Sequence, residues 1–128
     1  MKQTFTKAER LHEKKLMDRL FKGGKSFFVY PFKVFYLLLD EASPYPAKVL
    51  ISVPKRNFKK ATERNRIKRL VREAYRRNKT VLCPGENSKG CNRTLVIGLI
   101  YTAKVQMDYR DTERKIILIL QQLQNKNE

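Results

Sequence analysis

The chain has 128 residues, enough for one domain with a buried core and too few for two ordinary ones. Hydrophobic residues make up 41% of it, which excludes a disordered basic tail. It carries 29 Lys and Arg against 12 Asp and Glu, a formal net charge of +17 spread along the whole length, and that balance points to nucleic acid ahead of acidic lipid or an acidic protein.

Met1 to Thr6 opens no apolar run of the signal-peptide kind. The longest apolar stretches, Val34 to Leu39 and Ile116 to Leu120, fall far short of a membrane span. The expectation is a soluble, cytoplasmic protein with no membrane partner, one domain over residues 1–128. Two cysteines, Cys83 and Cys91, are too few for a structural zinc site, and no nearby histidine completes one. They flank a Pro-Gly-rich loop and are expected as reduced thiols, although pairing across the loop is the other reading.

Thr6-Lys7-Ala8-Glu9 has the form of a capping box, so a first helix is expected from there to about Phe21, stopped by Gly23-Gly24. Leu11, Leu16 and Leu20 can face a core; Met17 and Phe21, one turn apart, flank that stripe, and periodicity alone reads them as packing. His12 is the only histidine, and alone it points to no catalysis.

Phe27 to Asp40, rich in aromatic and branched residues, reads as one long strand bent or started at Pro31. Phe32, Val34, Tyr36 and Leu38 take one face, with Lys33, Phe35, Leu37 and Leu39 on the other. Both faces are largely apolar, so both should be at least partly covered. Lys33 beside Phe35 is odd in a pure core face, but it is the pairing a single-stranded nucleic acid groove uses, charge for phosphate and ring for base.

Glu41 to Pro46 is a turn, Ala47 to Val53 a second strand ended by Pro54, and Lys55 to Lys60 a loop bearing four cations. Then comes the densest basic stretch of the chain, Ala61 to Arg77. As a helix, its apolar members Ile67, Leu70, Val71, Ala74 and Tyr75 form one stripe. Arg64, Asn65, Lys68, Arg69, Arg72 and Arg76 fan out beside it, with Thr62 as the expected N-cap and Glu63 complementing the helix dipole. Only Glu73 offsets the cations between Arg64 and Arg77, and like charges at i, i+4 oppose helix formation. A solvated surface helix would not need such repulsion; a helix facing a polyanion would.

Lys79 to Asn92 reads as loop, Thr94 to Tyr101 as a third strand of buried type, and Asp108 or Asp111 as the cap of a last helix to about Gln124. Ile116, Ile117, Leu120 and Leu123 are its expected apolar stripe, and residues 125–128 are expected to fray. The order is α-β-β-α-β-α, an α+β arrangement with at least one covered sheet face.

The run Arg64-Asn65-Arg66-Ile67-Lys68-Arg69-Leu70-Val71-Arg72-Glu73-Ala74, preceded by Ile51-Ser52-Val53-Pro54-Lys55-Arg56, resembles the signature of the protein subunit of bacterial ribonuclease P. The resemblance extends from the helix ending Phe21-Lys22-Gly23-Gly24 to the last helix, nearly the whole chain. It implies an α/β sandwich of the ribosomal protein S5 domain 2-like type with a left-handed βαβ crossover, which general packing rules alone would not suggest. It also implies a role. A partner RNA performs the Mg²⁺-dependent hydrolysis, Mg²⁺ being held mainly by the RNAs. The protein docks on that catalytic RNA, and its cleft holds the 5′ leader of precursor tRNA.

On this chain the RNA-binding positions implied are Lys55, Arg56, Arg64, Asn65, Arg66, Lys68, Arg69 and Arg72, and the leader cleft falls at Met17, Phe21, Lys33 and Phe35. Met17 stands where the family usually has an aromatic. The loop Asn57-Phe58-Lys59-Lys60 lacks the family's glycine and is about one residue longer, and Cys83 to Cys91 has no counterpart.

Arginine suits such a surface because its planar fork grips phosphate oxygens bidentately and stacks on bases. Arg64 and Arg66 diverge by roughly 200° around the helix, so one is expected to grip RNA while the other braces the protein or a second RNA segment. No Asp/Glu cluster or His pair has metal spacing, so no catalytic or metal residue is expected in the protein itself. A ribosomal or general RNA-binding protein of the same fold, and an autonomous nuclease, are the competing readings.

Overall fold

A computed structural model describes residues 14–39, 47–82 and 94–127. Among them the elements are α1 (Lys14–Gly23), β1 (Lys25–Val29), β2 (Phe32–Leu39), β3 (Ala47–Ser52), α2 (Ala61–Asn78), a 3₁₀ turn (Lys79–Leu82), β4 (Thr94–Tyr101) and α3 (Tyr109–Asn127). The α+β class is as expected, with one strand more. The long strand expected from Phe27 to Asp40 is a hairpin, β1 antiparallel to β2, turning at Tyr30-Pro31 through a cis peptide. An unbroken apolar run hid the turn, which uses neither Gly nor Asn. Thr102 pins it: its amide and its hydroxyl each donate to the Pro31 carbonyl at 2.7 Å.

The sheet order is β1-β2-β4-β3, with β4 antiparallel to β2 and parallel to β3. β3, α2 and β4 thus form a βαβ unit on neighbouring strands. The two parallel strands end side by side, and the loops after them, 53–60 and 102–108, emerge at the same end of the sheet.

The sheet separates two apolar layers. On one face Phe32, Val34, Val49, Ile51, Leu95, Ile97, Leu99 and Tyr101 bury against α2 and α3 through Ile67, Val71, Ala74, Tyr75, Ile116, Ile119, Leu120 and Leu123. The stripe of α3 therefore runs through Ile119, while the expected Ile117 sits half-buried on its flank. The i, i+3, i+4, i+7 set starting at Ile116 is 116, 119, 120 and 123. α3 is capped by Asp108, whose Oδ1 accepts from the Asp111 amide at 2.8 Å, and it runs through Asn127. At its start Tyr109 O–H donates to Glu113 at 2.9 Å and Asn78 Nδ2 donates to the same oxygen at 3.1 Å, tying α3 to α2.

On the other face Leu20 and Val96 are buried, with Leu16, Met17, Phe35, Leu37, Leu39 and Leu50 around them, so α1 covers part of this side. Two glycines let α1 approach. A Cβ on Gly98 would lie 3.0 Å from the Leu20 side chain and 3.5 Å from the Phe21 ring. A Cβ on Gly24 would run into the Leu20 carbonyl and lie 2.8 Å from that of Tyr36. The Gly24 amide instead donates to the Leu20 carbonyl at 3.0 Å and closes the helix. The capping box at Thr6, Leu11, His12, the turn at 41–46 and both cysteines lie outside the described residues. No helix among the described residues is long and apolar enough to cross a membrane.

Candidate nucleic-acid interface

α2 begins one residue before the expected cap. Lys60 occupies the N-cap position with extended backbone (φ −79°, ψ 127°) and no side-chain cap, while Thr62 is exposed inside the first turn. Phe58, 5% exposed, anchors the preceding loop in the core beside Tyr101, with ring centroids 6.0 Å apart. The loop's direction is fixed from the helix side. Arg64 Nη1 donates to the carbonyls of Phe58 at 2.7 Å and Lys59 at 2.9 Å. The loop is thus fixed by a buried ring and a guanidinium clasp.

Arg64 braces the protein; Arg66, on the far side of the helix, is exposed. Asn65, Arg66 and Arg69 line an open pocket of about 380 Å³ together with Thr62, Glu63 and Gln106. Lys68 and Arg72 are half-buried along the edge of the same helix. Further along, Glu73 takes Arg76 and Arg77: Arg76 Nε lies 3.2 Å and Arg77 Nε 3.0 Å from its carboxylate. The hydrogen bond from Arg76 holds the Glu73 carboxyl below its ordinary value of 4.5 and raises Arg76 in return. Arg77 also lies over the Tyr109 ring at 5.6 Å. On α2 the arginines thus differ in their partners: Arg64 is tied to the preceding loop, Arg76 and Arg77 to Glu73, while Arg66 and Arg69 are exposed along the pocket.

Lys55 and Arg56 are exposed in the turn after β3. Arg56 lines a second pocket, of about 480 Å³, with Pro54, Asn57, Ile100, Thr102 and Lys104. Gln106 and Lys104 come from the loop after β4 and carry no local signal in the sequence, because only the parallel pairing of β3 with β4 brings that loop beside the α2 entry. The one signal for them is positional, since loops at the carboxyl ends of parallel strands are where ligands tend to sit.

The four cleft residues come together on the α1 side of the sheet. Phe21 and Phe35 stand edge to face with centroids 5.0 Å apart, and Lys33 Nζ lies 5.2 Å from the centre of the Phe35 ring. Met17 is half-buried in the same cluster. Phe21 is 41% exposed, so its ring is neither core nor fully solvated. Packing explains Leu20; it leaves the open edges of Phe21 and Phe35 unexplained. Lys33 pairs in register with Ile100, which reaches the Arg56–Lys104 pocket, so the cleft runs into the cationic strand ends. Among the described residues no three His, Cys, Asp or Glu side chains converge on a possible metal position.

Comparison with known proteins bears on the family and the fold. The family model described as Ribonuclease P matches residues 5–124. A ribonuclease P protein component of Porphyromonas gingivalis is 47% identical over 77 residues, covering 60% of this chain and 56% of that protein. The match thus spans little more than half the length of that relative. The Thermotoga maritima component is 39% identical over 85 residues, 66% of this chain and 69% of that one. Its solved structure superposes with a TM-score of 0.70 at 30% identity, covering 89% of this chain and 96% of that one. The Staphylococcus aureus RNase P protein shares the fold, with a TM-score of 0.63 at 22% identity over 89% of this chain and 94% of that one. With a match over nearly its whole length, the chain belongs to the bacterial ribonuclease P protein family.

Proposed function

We propose that this chain is the protein subunit of a ribonuclease P ribonucleoprotein, and that it holds two RNAs at once. The N-terminal half of α2, with Asn65, Arg66, Lys68, Arg69 and Arg72, docks on the catalytic RNA, helped by Lys55 and Arg56. The cleft of Met17, Phe21, Lys33 and Phe35 takes the single-stranded 5′ leader of precursor tRNA. The observation that carries the reading is the pairing of Phe21 with Phe35, 5.0 Å apart, under a lysine 5.2 Å from the ring. That geometry offers a π-face and a phosphate contact with no hydrogen-bond readout, which suits leaders of varied sequence.

In this account hydrolysis belongs to the RNA partner with its Mg²⁺ ions, and no step passes through a protein-bound metal. The protein contributes position and charge. Bringing two polyanions together is opposed by repulsion that fixed guanidinium groups reduce, so the protein should matter most where Mg²⁺ is scarce. Cleavage of precursor tRNA at low Mg²⁺ tests this. Expected are no cleavage by the protein alone and strong rescue of the cognate catalytic RNA. No rescue would favour a ribosomal or general RNA-binding role, and cleavage by protein alone an autonomous nuclease.

A further inference from the structure

α1 does not cover its side of the sheet completely. In register across the strands, Phe28, Lys33, Ile100 and Ser52 form one rung, and Ser26, Phe35, Gly98 and Leu50 form the next. α1 sits over the second rung, with Leu20 and Phe21 on Gly98. The first rung lies outside it. Its β1 end carries Phe28, 57% exposed, and Tyr30 beyond it is also 57% exposed. The two rings stand edge to face, 6.3 Å apart.

Single exposed apolar residues need no explanation, but a row of them does. Phe21, Phe28 and Tyr30 are three of the large side chains left open among the described residues, and all three lie along this one path. The path reads Phe21, Phe35, Lys33, Phe28, Tyr30, in which Lys33 is both 5.2 Å from the Phe35 ring and the cross-strand partner of Phe28. An aromatic–lysine–aromatic order repeats the ring-for-base, charge-for-phosphate pattern of a single-stranded nucleic acid track. The backbone next to Tyr30 is fixed, because the turn is fastened by both Thr102 hydrogen bonds to the Pro31 carbonyl.

We propose that Phe28 and Tyr30 form a second stacking step for the same single-stranded RNA, reached by the nucleotides beyond those on Phe21 and Phe35, with Lys33 between the two steps contacting the backbone. The inference rests on the leader-cleft reading and extends it. It makes binding sensitive to leader length through this hairpin: a leader cut back to the nucleotide nearest the cleavage site would never reach Phe28.

The chain contains no tryptophan, so a Phe28→Trp variant carries a single reporter and keeps an aromatic ring at the site. With the catalytic RNA bound, a long-leader precursor tRNA should quench its fluorescence, and a precursor with the leader cut back should not. The Phe28→Ala, Tyr30→Ala double variant should lose about tenfold in affinity for the long-leader precursor, since stacking one base is worth roughly that much, and should match wild type on the short one. Both residues are surface groups, so an unchanged unfolding midpoint is expected. An unquenched Trp at position 28, or a double variant that treats both precursors as wild type does or loses equally on both, overturns the proposal. A Phe35→Trp reporter separates the two ideas. Quenching at 35 without quenching at 28 sinks the second step alone, and silence at both sinks the cleft reading with it.

Discussion

Arg64 reaches back across the start of its own helix to donate to the Phe58 carbonyl at 2.7 Å. The most conspicuous basic motif of the sequence therefore opens with an arginine turned toward the protein, and the next one, Arg66, is the first to face outward.

The two arginines should separate in their effects. Arg64→Ala loses two charge-assisted hydrogen bonds in a partly exposed setting and should cost about 1 kcal/mol of stability. Arg66→Ala should leave the unfolding midpoint unchanged, weaken binding to the catalytic RNA, and make the salt dependence shallower by about one unit of slope. Thermal unfolding beside a salt titration of RNA binding checks both. Equal destabilisation by the two variants would contradict the assignment.

Glu73 should act as a restraint on the docking face. Its carboxylate holds Arg76 and Arg77, so Glu73→Gln should release both and steepen the salt dependence of RNA binding. The same pairing makes a pH prediction. The Glu73 carboxyl is lowered in the folded protein, mainly by the Arg76 hydrogen bond, so its contribution to stability is complete above its ordinary value of 4.5. It fades as the pH falls through the lowered value. Wild type and Glu73→Gln should therefore differ in unfolding midpoint at neutral pH and converge in acid; a gap that widens in acid would refute the pairing.

Gly98 and Gly24 set how closely α1 lies on the sheet. Gly98→Ala puts a methyl 3.0 Å from the buried Leu20 side chain but only in ordinary contact, 3.5 Å, with the Phe21 ring, so it should cost less than the Gly24 change and leave Phe21 on Phe35. Gly24→Ala meets backbone carbonyls that cannot move aside and should cost more than about 1 kcal/mol. Denaturant unfolding gives the two costs.

Most of this architecture is legible from periodicity. The β2 alternation of Phe32 to Leu39 names both faces of the strand, because side-chain direction in a strand depends on parity alone. The apolar stripe of α2 is equally plain, and its buried residues Ile67, Val71, Ala74 and Tyr75 all belong to it. What escapes is long-range or depends on a single bond. Nothing in the local sequence says that Tyr30-Pro31 turns rather than bends, since the bonds that hold the turn come from Thr102, 71 residues away. Whether Arg64 or Arg66 faces outward depends on two loop carbonyls that a helical projection does not contain. Lys104 and Gln106 join the interface only once β3 and β4 are paired. Of the cleft residues, Lys33 beside Phe35 is legible in the strand pattern, whereas Phe21 comes only through the family resemblance, because a half-exposed aromatic on a helix flank looks like packing until its partner is known.

The central claim is that one small fold presents a docking helix on one side of its sheet and a leader cleft on the other. The most direct measurement is the affinity of the ribonucleoprotein for precursor tRNA relative to mature tRNA, with wild-type protein and with Phe35→Ala. Truncating Phe35 should lower precursor binding by on the order of 1–3 kcal/mol and leave mature tRNA binding unchanged, because only the precursor has a base to stack there. An equal loss for both tRNAs would make Phe35 a packing residue and contradict the account.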